Sequence, residues 1–361
     1  MSESATPLVE TTPADQGEAG SIAAAGRKLR IIVLMNETLV PPESIEGLTA
    51  KAIAPFKTEW DVLSTLRGLG HEVTPVGFYD DLGVISRAMT EHRPHIAFNL
   101  AEDFDGNPLY DQHVVSYLEL KKQAYTGCNP RGLTLAHDKA LTKKILSYHH
   151  VPMPGFVHFP RGRKVQAPRL KYPLFVKSGV SEGSVGISQA SLVRDFEHLV
   201  ERVEFIHRQT SSDAITEEYI EGREIYVGVI GNQTLRAYTP WELEMTNLSD
   251  GAPLIATDKL KWDLEYQKKM GLVTKPAELS PELAKRCDHL SKRIYHHLHL
   301  SGYARLDYRL TSDGHLFLLE ANPNPQIAQG EDFADSAAHC GVSYPYLLQK
   351  IISLGLSYTK Q

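Results

Sequence analysis

The sequence lacks the features that mark secreted, membrane-spanning and nucleic-acid-binding proteins. Its 361 residues include only 3 cysteines, far apart and without a CxxC pair, which argues against a disulfide framework or a structural zinc site and favours a reducing compartment. No run approaches the roughly 18 apolar residues of a membrane span. A net charge of −6 provides no basic surface for nucleic acid or an anionic membrane. We therefore expect a cytoplasmic protein with neither nucleic-acid nor membrane partners.

The overall composition of the chain indicates a folded α/β protein. Hydrophobic residues make up 42% and charged residues 23% of the chain, as in ordinary globular domains. At about 150 residues per domain, the length favours two to three domains. Residues 1–28 are rich in Ala, Ser, Thr, Pro, Glu and Gly and lack an apolar core, so they predict a disordered tail and not a targeting peptide.

Beyond the tail, strand patterns alternate with helical ones. Residues 29–35 form a short apolar run typical of a buried parallel strand, and similar patterns follow at 71–76 and 95–100. Strands that alternate with helices at this spacing indicate βαβ units and a parallel sheet. We expect an N-terminal domain of this kind at 29–136.

A hairpin pattern at 303–320 is the most informative stretch. Arg305, Asp307 and Arg309 alternate with apolar residues, so one face of the strand is charged and the other apolar. Asp313–Gly314 is a strong signal for a hairpin with a two-residue turn.

The register of that hairpin predicts a metal site. With a two-residue turn, Asp307 lies opposite Glu320 and Arg305 lies opposite Asn322. Two carboxylates on one sheet face repel each other unless a cation lies between them, and hard oxygen ligands of this kind suit Mg²⁺. The alternative is a solvated strand face with incidental acids, because a three-residue turn would shift the register.

Two other segments are suited to binding a nucleotide. Phe175–Val176–Lys177 ends an apolar strand and is followed within six residues by Gly183–Ser184–Val185–Gly186, where small residues let backbone N–H groups approach phosphate oxygens. The spacing matches neither the Walker pattern nor GxGxxG, so an ordinary turn is the alternative. The strand–turn–strand 215–224 carries acids at both ends, which suit an adenine amine or ribose hydroxyls; charged residues on an edge strand are the alternative.

In this order, the segments resemble the D-alanine–D-alanine ligase family of ATP-grasp enzymes. The matching strings are HDKALTKKIL from His137, YPLFVKSGVSEGSVGIS from Tyr172, EEYIEGREIYVGVIGN from Glu217 and GYARLDYRLTSDGHLFLLEANPNP from Gly302. The resemblance covers roughly residues 30–355. It implies an ATP-grasp fold, in which a Rossmann-like domain at 29–136 precedes two α+β subdomains, 137–214 and 215–361, that sandwich ATP.

The resemblance also implies the ligands and the residues that hold them. The ligands are ATP and Mg²⁺ or Mn²⁺, as two ions. The nucleotide-binding residues are Lys139, Phe175, Lys177, Gly183, Ser184, Val185, Glu217, Glu218, Tyr219, Ile220, Glu224, Lys261 and Leu319. The metal ligands are Asp307, Glu320 and Asn322, and the catalytic residues are Arg305, Lys177 and Lys261. Arg305 matches the arginine that stabilises the negative charge of the tetrahedral intermediate.

The implied reaction is an ATP-dependent joining of a carboxylate to an amine. The carboxylate of an amino acid attacks the γ-phosphate to give an acylphosphate, and an amine or a second amino acid then displaces phosphate. A homodimer is a further implication of the resemblance. Two alternatives stay open: a genuine D-alanine–D-alanine ligase, and a nucleotide-binding regulatory protein without turnover.

The chain departs from the family where the amino-acid substrates would bind. The family's glutamate–histidine–x–valine–serine box is missing from 35–42, and Gly183 and Trp262 stand where the family has a substrate-side serine and its tyrosine partner. Glu331 lies near the position of a serine that binds the second substrate's carboxylate. A carboxylate there repels a substrate carboxylate and favours a cation or hydroxyl. The sequence thus predicts an intact ATP site with a changed acceptor pocket.

Overall fold

A computed structural model describes residues 27–180, 187–248, 253–255, 260 and 263–358. Within this part of the chain, three β-sheets follow one another in sequence and helices cover their faces. No helix in these ranges combines the length and the apolarity that a bilayer crossing requires. Of the predicted tail, residues 1–26 lie outside the described ranges.

The first sheet is parallel, as the sequence predicts. Its region contains β1 (Arg30–Asn36), α1 (Ala50–Ile53), α2 (Lys57–Gly68), β2 (Glu72–Phe78), α3 (Leu82–His92), β3 (Ile96–Asn99), α4 (Asp111–Leu120) and α5 (Pro130–His137). The strand order is β2-β1-β3, with Ile31 beside both Val73 and Ile96. Because β1 is central and buried on both faces, it is apolar from Ile31 to Met35, which is typical of parallel strands.

The second sheet is antiparallel and lies in the middle of the chain. Its region contains α6 (Lys139–Tyr148), β4 (Phe156–Phe159), β5 (Leu174–Ser178), β6 (Leu192–Val193), α7 (Phe196–Gln209) and β7 (Ala214–Glu218). The order is β4-β7-β5-β6. Leu199, Val203 and Ile206 of α7 pack on the sheet through Val176. The predicted subdomain ends at residue 214, which is the first residue of β7, whereas the sheet includes all of β7 to Glu218. The domain limits stay predictions.

The third sheet is the largest in the described chain. Its region contains β8 (Arg223–Gly231), β9 (Leu235–Ala237), β10 (Trp241–Met245), α8 (Leu264–Met270), β11 (Leu272–Pro276), α9 (Pro281–His297), β12 (Tyr303–Leu310), β13 (Leu316–Pro323), α10 (Asp332–His339) and α11 (Tyr344–Ser357). The order is β11-β10-β8-β12-β13, with β9 beside β8. Ile294 and Tyr295 of α9 pack against Leu306 and Tyr308, so the charged face of β12 points away from α9.

The C-terminal helices return to the first sheet. Phe333 of α10 and Leu347 and Ile351 of α11 share a buried cluster with Val33 of β1 and Val62 of α2. The C-terminal helices α10 and α11 therefore help to cover one face of the first sheet.

The β12–β13 hairpin has the predicted register at the metal site but not the predicted turn. Asp307 pairs with Glu320 and Arg305 with Asn322, as expected, whereas Leu310 pairs with Leu316. The turn has three residues, 312–314, and ends with Gly314 at φ +82°, a left-handed conformation that glycine adopts without strain. A β-bulge at Leu319 corrects the one-residue shift.

Helix α2 carries an acid on its buried face, which makes stability depend on pH. Glu59 lies one turn before Val62 and Leu63 and is 5% exposed. Burial raises the pKa of Glu59 to about 7, and a backbone hydrogen bond opposes this only partly. The folded state therefore holds this proton more tightly than the unfolded state, so the contribution of Glu59 to stability is fully present below about pH 4.5 and is lost as the pH rises through about 7.

We expect Glu59→Gln to stabilise the protein at alkaline pH. At pH 8 the gain in the free energy of unfolding should be about 3 kcal/mol, because the neutral amide avoids the buried charge, and at pH 5 it should be under about 1 kcal/mol. Urea unfolding at the two pH values measures both. Glu72→Gln, at an exposed position, is the control and should change neither value; equal gains at both pH values would contradict the prediction.

Candidate active site

One pocket between the second and third sheets gathers most of the predicted site. Its lining consists of Phe175, Lys177, Ile187, Glu217, Glu218, Tyr219, Ile220, Glu224, Tyr226, Leu254, Ile255, Arg305, Asp307, Arg309, Leu319 and Glu320. Lys139 and Asn322, the other predicted residues that the structure describes, adjoin it: Lys139 Nζ lies 3.3 Å from Glu320 Oε2, and Asn322 Nδ2 donates to Asp307 Oδ2 at 2.8 Å.

A larger cleft of about 900 Å³ lies elsewhere, and it is lined by Arg131, Arg236 and Lys350 among others. It contains none of the predicted site residues in the described chain. The chemistry that the sequence predicts therefore belongs to the smaller pocket between the sheets.

The predicted phosphate loop and one predicted lysine cannot be placed. Gly183, Ser184, Val185 and Lys261 lie outside the described residues. Their roles stay predictions.

Strands β5 and β7 bring a lysine and a glutamate together. In their antiparallel register, Phe175 lies opposite Glu217, and Lys177, two residues further along β5, points to the same face. Lys177 Nζ is 3.0 Å from Glu217 Oε1. The sequence identified both residues but not this ion pair.

A second lysine, which sequence reasoning missed, completes the group. Lys143 Nζ of α6 lies 3.4 Å from the same Glu217 oxygen. The helix begins at Lys139 because the Asp138 side chain caps it by accepting from Leu141 N. Lys139 and Lys143 are one turn apart, which puts both on the face of α6 toward the pocket. That spacing was the signal available in the sequence.

The Lys143–Glu217–Lys177 group is buried and carries one more positive than negative charge. All three residues are at most 6% exposed. Burial lowers the pKa of Lys143 to about 8, although Glu217 opposes the shift. Burial acts to raise the pKa of Glu217, but the two lysines outweigh it and the pKa is lowered. The excess positive charge is suited to an anionic ligand such as a phosphate.

Glu224 is held by two partners in the third sheet, Tyr226 on its own strand and Arg309 on the neighbouring strand β12. Its two carboxylate oxygens accept from Arg309 Nη2 at 3.0 Å and from the Tyr226 hydroxyl at 2.8 Å. Arg309 follows the alternation of Arg305 and Asp307 along β12, but sequence reasoning gave it no role. A ribose hydroxyl at Glu224 would share these oxygens with Arg309 and Tyr226.

At the end of β7, both the backbone N–H and the carboxylate of Glu218 form hydrogen bonds within the protein. The Glu218 amide donates to the Gly155 carbonyl at 2.8 Å, and the Glu218 carboxylate accepts from Lys171 N at 2.9 Å. This N–H and this carboxylate oxygen are therefore already bonded within the protein. Tyr219 and Ile220 line the pocket directly.

Arg305 and Asp307 form a bidentate pair on the charged face of β12. Arg305 Nε and Nη2 donate to the two Asp307 oxygens at 2.8 and 2.9 Å. The Tyr226 ring lies 4.4 Å from the guanidinium carbon, a stacked arrangement that fixes the orientation of the guanidinium. Burial raises the pKa of Asp307, Arg305 opposes this, and the nearby Glu320 adds to it.

The donor set around Asp307 fits a hard cation. Asp307 and Glu320 are cross-strand neighbours, and the Asn322 amide bonds Asp307 through nitrogen, which leaves Asn322 Oδ1 as a third oxygen donor. Within the described ranges, no group of three or more His, Cys, Asp or Glu side chains could hold a metal. Two carboxylates and an amide suit Mg²⁺, which keeps water and phosphate oxygens in its remaining positions.

Two consecutive acids, Glu331 and Asp332, lie near Arg305. Asp332 Oδ2 lies 3.8 Å from Arg305 Nη1, and Glu331 precedes it as the N-cap of α10. Burial raises the pKa of Asp332, whereas Arg305 and the Thr274 hydroxyl oppose the rise. Burial raises the pKa of Glu331 as well. Sequence reasoning placed Glu331 near an acceptor and did not identify the contact between Asp332 and Arg305.

The loop that leads to these acids is tied to α2. Gln329 N donates to Asp61 Oδ2 at 2.9 Å, and Lys57 bridges Asp61 and the Gln329 carbonyl. The segment that carries Glu331 and Asp332 is thus held by the N-terminal region as well as by the third sheet.

Comparisons with known proteins agree with this geometry. Residues 145–353 match the family model "D-ala D-ala ligase C-terminus". A D-alanine–D-alanine ligase of Nitratidesulfovibrio vulgaris is 30% identical over 293 residues, which are 81% of this chain and 90% of that protein. An uncharacterized protein, y4sG, of Sinorhizobium fredii is 32% identical over 260 residues, which are 72% of this chain and 74% of that protein.

Solved structures share the fold. The D-alanine–D-alanine ligase of Bacillus anthracis complexed with ATP superposes with a TM-score of 0.70 at 22% identity, over 91% of this chain and 97% of that one. The VanG D-Ala:D-Ser ligase of Enterococcus faecalis gives 0.67 at 19% identity, over 91% and 100%. The expected ATP-grasp fold is confirmed. The chain belongs to the D-alanine–D-alanine ligase family, ATP-grasp enzymes that use ATP and Mg²⁺ to join a carboxylate to an amine.

Proposed function

We propose that the protein converts an amino acid to its acylphosphate with ATP and transfers the acyl group to an amine or a second amino acid, releasing ADP and phosphate. The observation that carries this proposal is the single pocket in which the lysine–glutamate group faces the Arg305–Asp307 pair. A phosphate donor and a developing oxyanion need positive charge on two sides of the reacting carboxylate.

The lysines act on the nucleotide. Lys177 and Lys143 supply buried positive charge beside Glu217, and Lys139 lies at the metal side beside Glu320. We assign phosphate contacts to Lys139 and Lys177. Similarity to the family assigns further phosphate contacts to Lys261 and the 183–185 loop, and it assigns adenine and ribose contacts to Glu217, Glu218, Ile220 and Glu224, with Phe175, Tyr219 and Leu319 as neighbours in the pocket.

Asp307, Glu320 and Asn322 are the residues that would hold Mg²⁺ or Mn²⁺. When bound, the metal supplies charge neutralisation at the phosphate oxygens. Because Asp307 is buried beside Glu320, a cation there would relieve the repulsion between the two carboxylates.

Arg305 acts after the acylphosphate has formed. Its guanidinium is always charged and is fixed by Tyr226 and Asp307. It is suited to hydrogen-bond the oxyanion that appears when the amine attacks the activated carbonyl. Exclusion of water from the closed pocket would protect the acylphosphate from hydrolysis.

A genuine D-alanine–D-alanine ligase is the second candidate, and the curated relatives favour it. Three features of the sequence argue against it: the missing box at 35–42, Gly183 in place of a serine, and the acid at Glu331.

We propose in addition a cytoplasmic location and a homodimer, as is usual for enzymes of this family. Light scattering of the purified protein would measure the dimer directly.

The test is the release of phosphate from Mg-ATP with a panel of amino acids, with and without hydroxylamine. Hydroxylamine is a small, uncharged nucleophile that traps an acylphosphate as a hydroxamate without needing the acceptor pocket. Hydroxamate formed with one amino acid and ATP supports the proposal and identifies the donor. Strong turnover with D-alanine alone would establish the second candidate, and ATP binding without any phosphate release would instead indicate a nucleotide-binding protein without turnover.

A further inference from the structure

The guanidinium of Arg305 already lies between two carboxylates of the protein, those of Asp307 and Asp332. A carboxylate binds an arginine best through two parallel N–H donors. The Nε–Nη2 edge of Arg305 is occupied by Asp307, and Nη1 faces Asp332 at 3.8 Å. One face of the group is covered by Tyr226. A substrate carboxylate that approached Arg305 would therefore also meet the charge of Asp332.

Asp332 does not depend on a metal for this role. Asp307 is the residue proposed to hold a metal, whereas Asp332 lies on α10, outside the β12–β13 hairpin. The Asp332 side chain is 16% exposed and that of Arg305 is 20% exposed. The pair is thus mostly buried, and its Arg305 member lines the pocket.

The charges around Asp332 are mainly negative. Glu331, Asp335 and Glu224 all lie close enough to influence Asp332 or its neighbour. Among the side chains that the structure describes, the cations with an influence on these two acids are Arg305 and, beside Glu331, Lys57. Lys57 is already held by Asp61 and the Gln329 carbonyl, so it is poorly placed to bind a second carboxylate.

We infer that Asp332 determines acceptor specificity by excluding a carboxylate, so that the acceptor is an amine with no carboxylate on the carbon that bears the nitrogen. Alkylamines, diamines and amino-acid amides belong to this class. The inference rests on the proposed function, because it names the second substrate of that reaction. It distinguishes this chain from an enzyme that joins two free amino acids.

The transfer step balances without any further reactant. The neutral amine nitrogen attacks the acylphosphate carbonyl, a C–N bond forms, and the C–O bond to phosphate breaks. Phosphate leaves with the electron pair, and the nitrogen loses one proton to solvent. Asp332 takes no part in bond making and acts only through its charge beside Arg305.

A structural role for Asp332 is the competing explanation. Acids in the first turn of a helix stabilise it through the helix dipole, and Asp332 and Asp335 both lie in the first turn of α10. Asp335 forms no ion pair with Arg305 among the described side chains. Asp335→Asn is therefore a matched control that removes a first-turn charge without touching Arg305.

The experiment compares alaninamide with alanine as acceptors, each in both enantiomers, with the donor that gives hydroxamate. For the wild type we expect kcat/KM for alaninamide to exceed that for alanine by about 30-fold or more, because the two differ chiefly by a charge placed against Asp332. Asp332→Asn should bring the ratio to within about threefold, and Asp335→Asn should leave it unchanged.

Each other outcome has a defined meaning. A wild type that uses alanine as well as alaninamide overturns the inference, whether or not Asp332→Asn folds. A preference for alaninamide that survives in a folded Asp332→Asn variant overturns the role of Asp332, as does an equal change in Asp335→Asn. Hydroxamate formation without transfer to either amine class also counts against the inference. Absence of hydroxamate with every donor shows instead that the proposed function has failed.

Discussion

Replacing Arg305 by alanine is expected to lower the rate of phosphate release by about 10²–10³-fold, or about 3–4 kcal/mol, while the affinity for ATP changes by less than about threefold. The reason is location: the Arg305 side chain bonds Asp307 and faces Asp332, whereas the lysines on the phosphate side pair with Glu217. The two quantities are measured by steady-state phosphate release and by titration calorimetry with ATP.

Two variants test whether the position and the shape of the guanidinium matter. Arg305→Lys keeps the charge but loses the planar fork, so only part of the activity should return. Arg236→Ala removes a guanidinium that lies 5.8 Å from the Tyr238 ring, outside the site pocket, and should leave the rate unchanged. Equal losses of rate and ATP affinity in Arg305→Ala would mean that Arg305 is a nucleotide ligand instead.

Replacing Glu217 by glutamine is expected to lower the free energy of unfolding by about 3–5 kcal/mol. Glutamine has nearly the same shape, so the effect comes from charge: Lys143 and Lys177 would be left buried without the carboxylate that pairs with both. Urea unfolding at pH 7 measures the loss. Glu221→Gln, in the exposed turn before β8, is the control and should cost less than about 0.5 kcal/mol.

A double variant separates charge from packing in the same group. If repulsion between the lysines causes the loss, adding Lys143→Met to Glu217→Gln should restore part of the stability, so the two changes should not be additive. Additive losses would contradict this account.

Much of the site was predictable because its residues lie close together in the sequence. The alternation along β12 fixes which side chains share a face, and Asp307 does lie opposite Glu320. The predicted register is found, but not because of the expected two-residue turn. The turn has three residues, and the bulge at Leu319 compensates for the extra one. A bulge has no clear local pattern in an apolar run such as 316–319.

Contacts between distant segments were not predictable from local patterns. Lys143 and Glu217 form an ion pair although they are far apart in the sequence. In the sequence, a buried lysine on an amphipathic helix cannot be distinguished from a surface lysine. The contact of Asp332 with Arg305 likewise depends on how α10 packs on the third sheet. Helical and strand periodicity identifies which face of an element is buried, but not which other element covers it.

The extra residue in β13 changes which side chains line the pocket. A regular strand shows alternate side chains to one side, yet consecutive residues, Leu319 and Glu320, both line the pocket. An apolar side chain and a carboxylate from two adjacent residues thus lie side by side in the pocket. Deletion of Leu319 alone would remove the bulge and keep Glu320 opposite Asp307, so the apolar lining of the pocket can change while the two carboxylates stay paired.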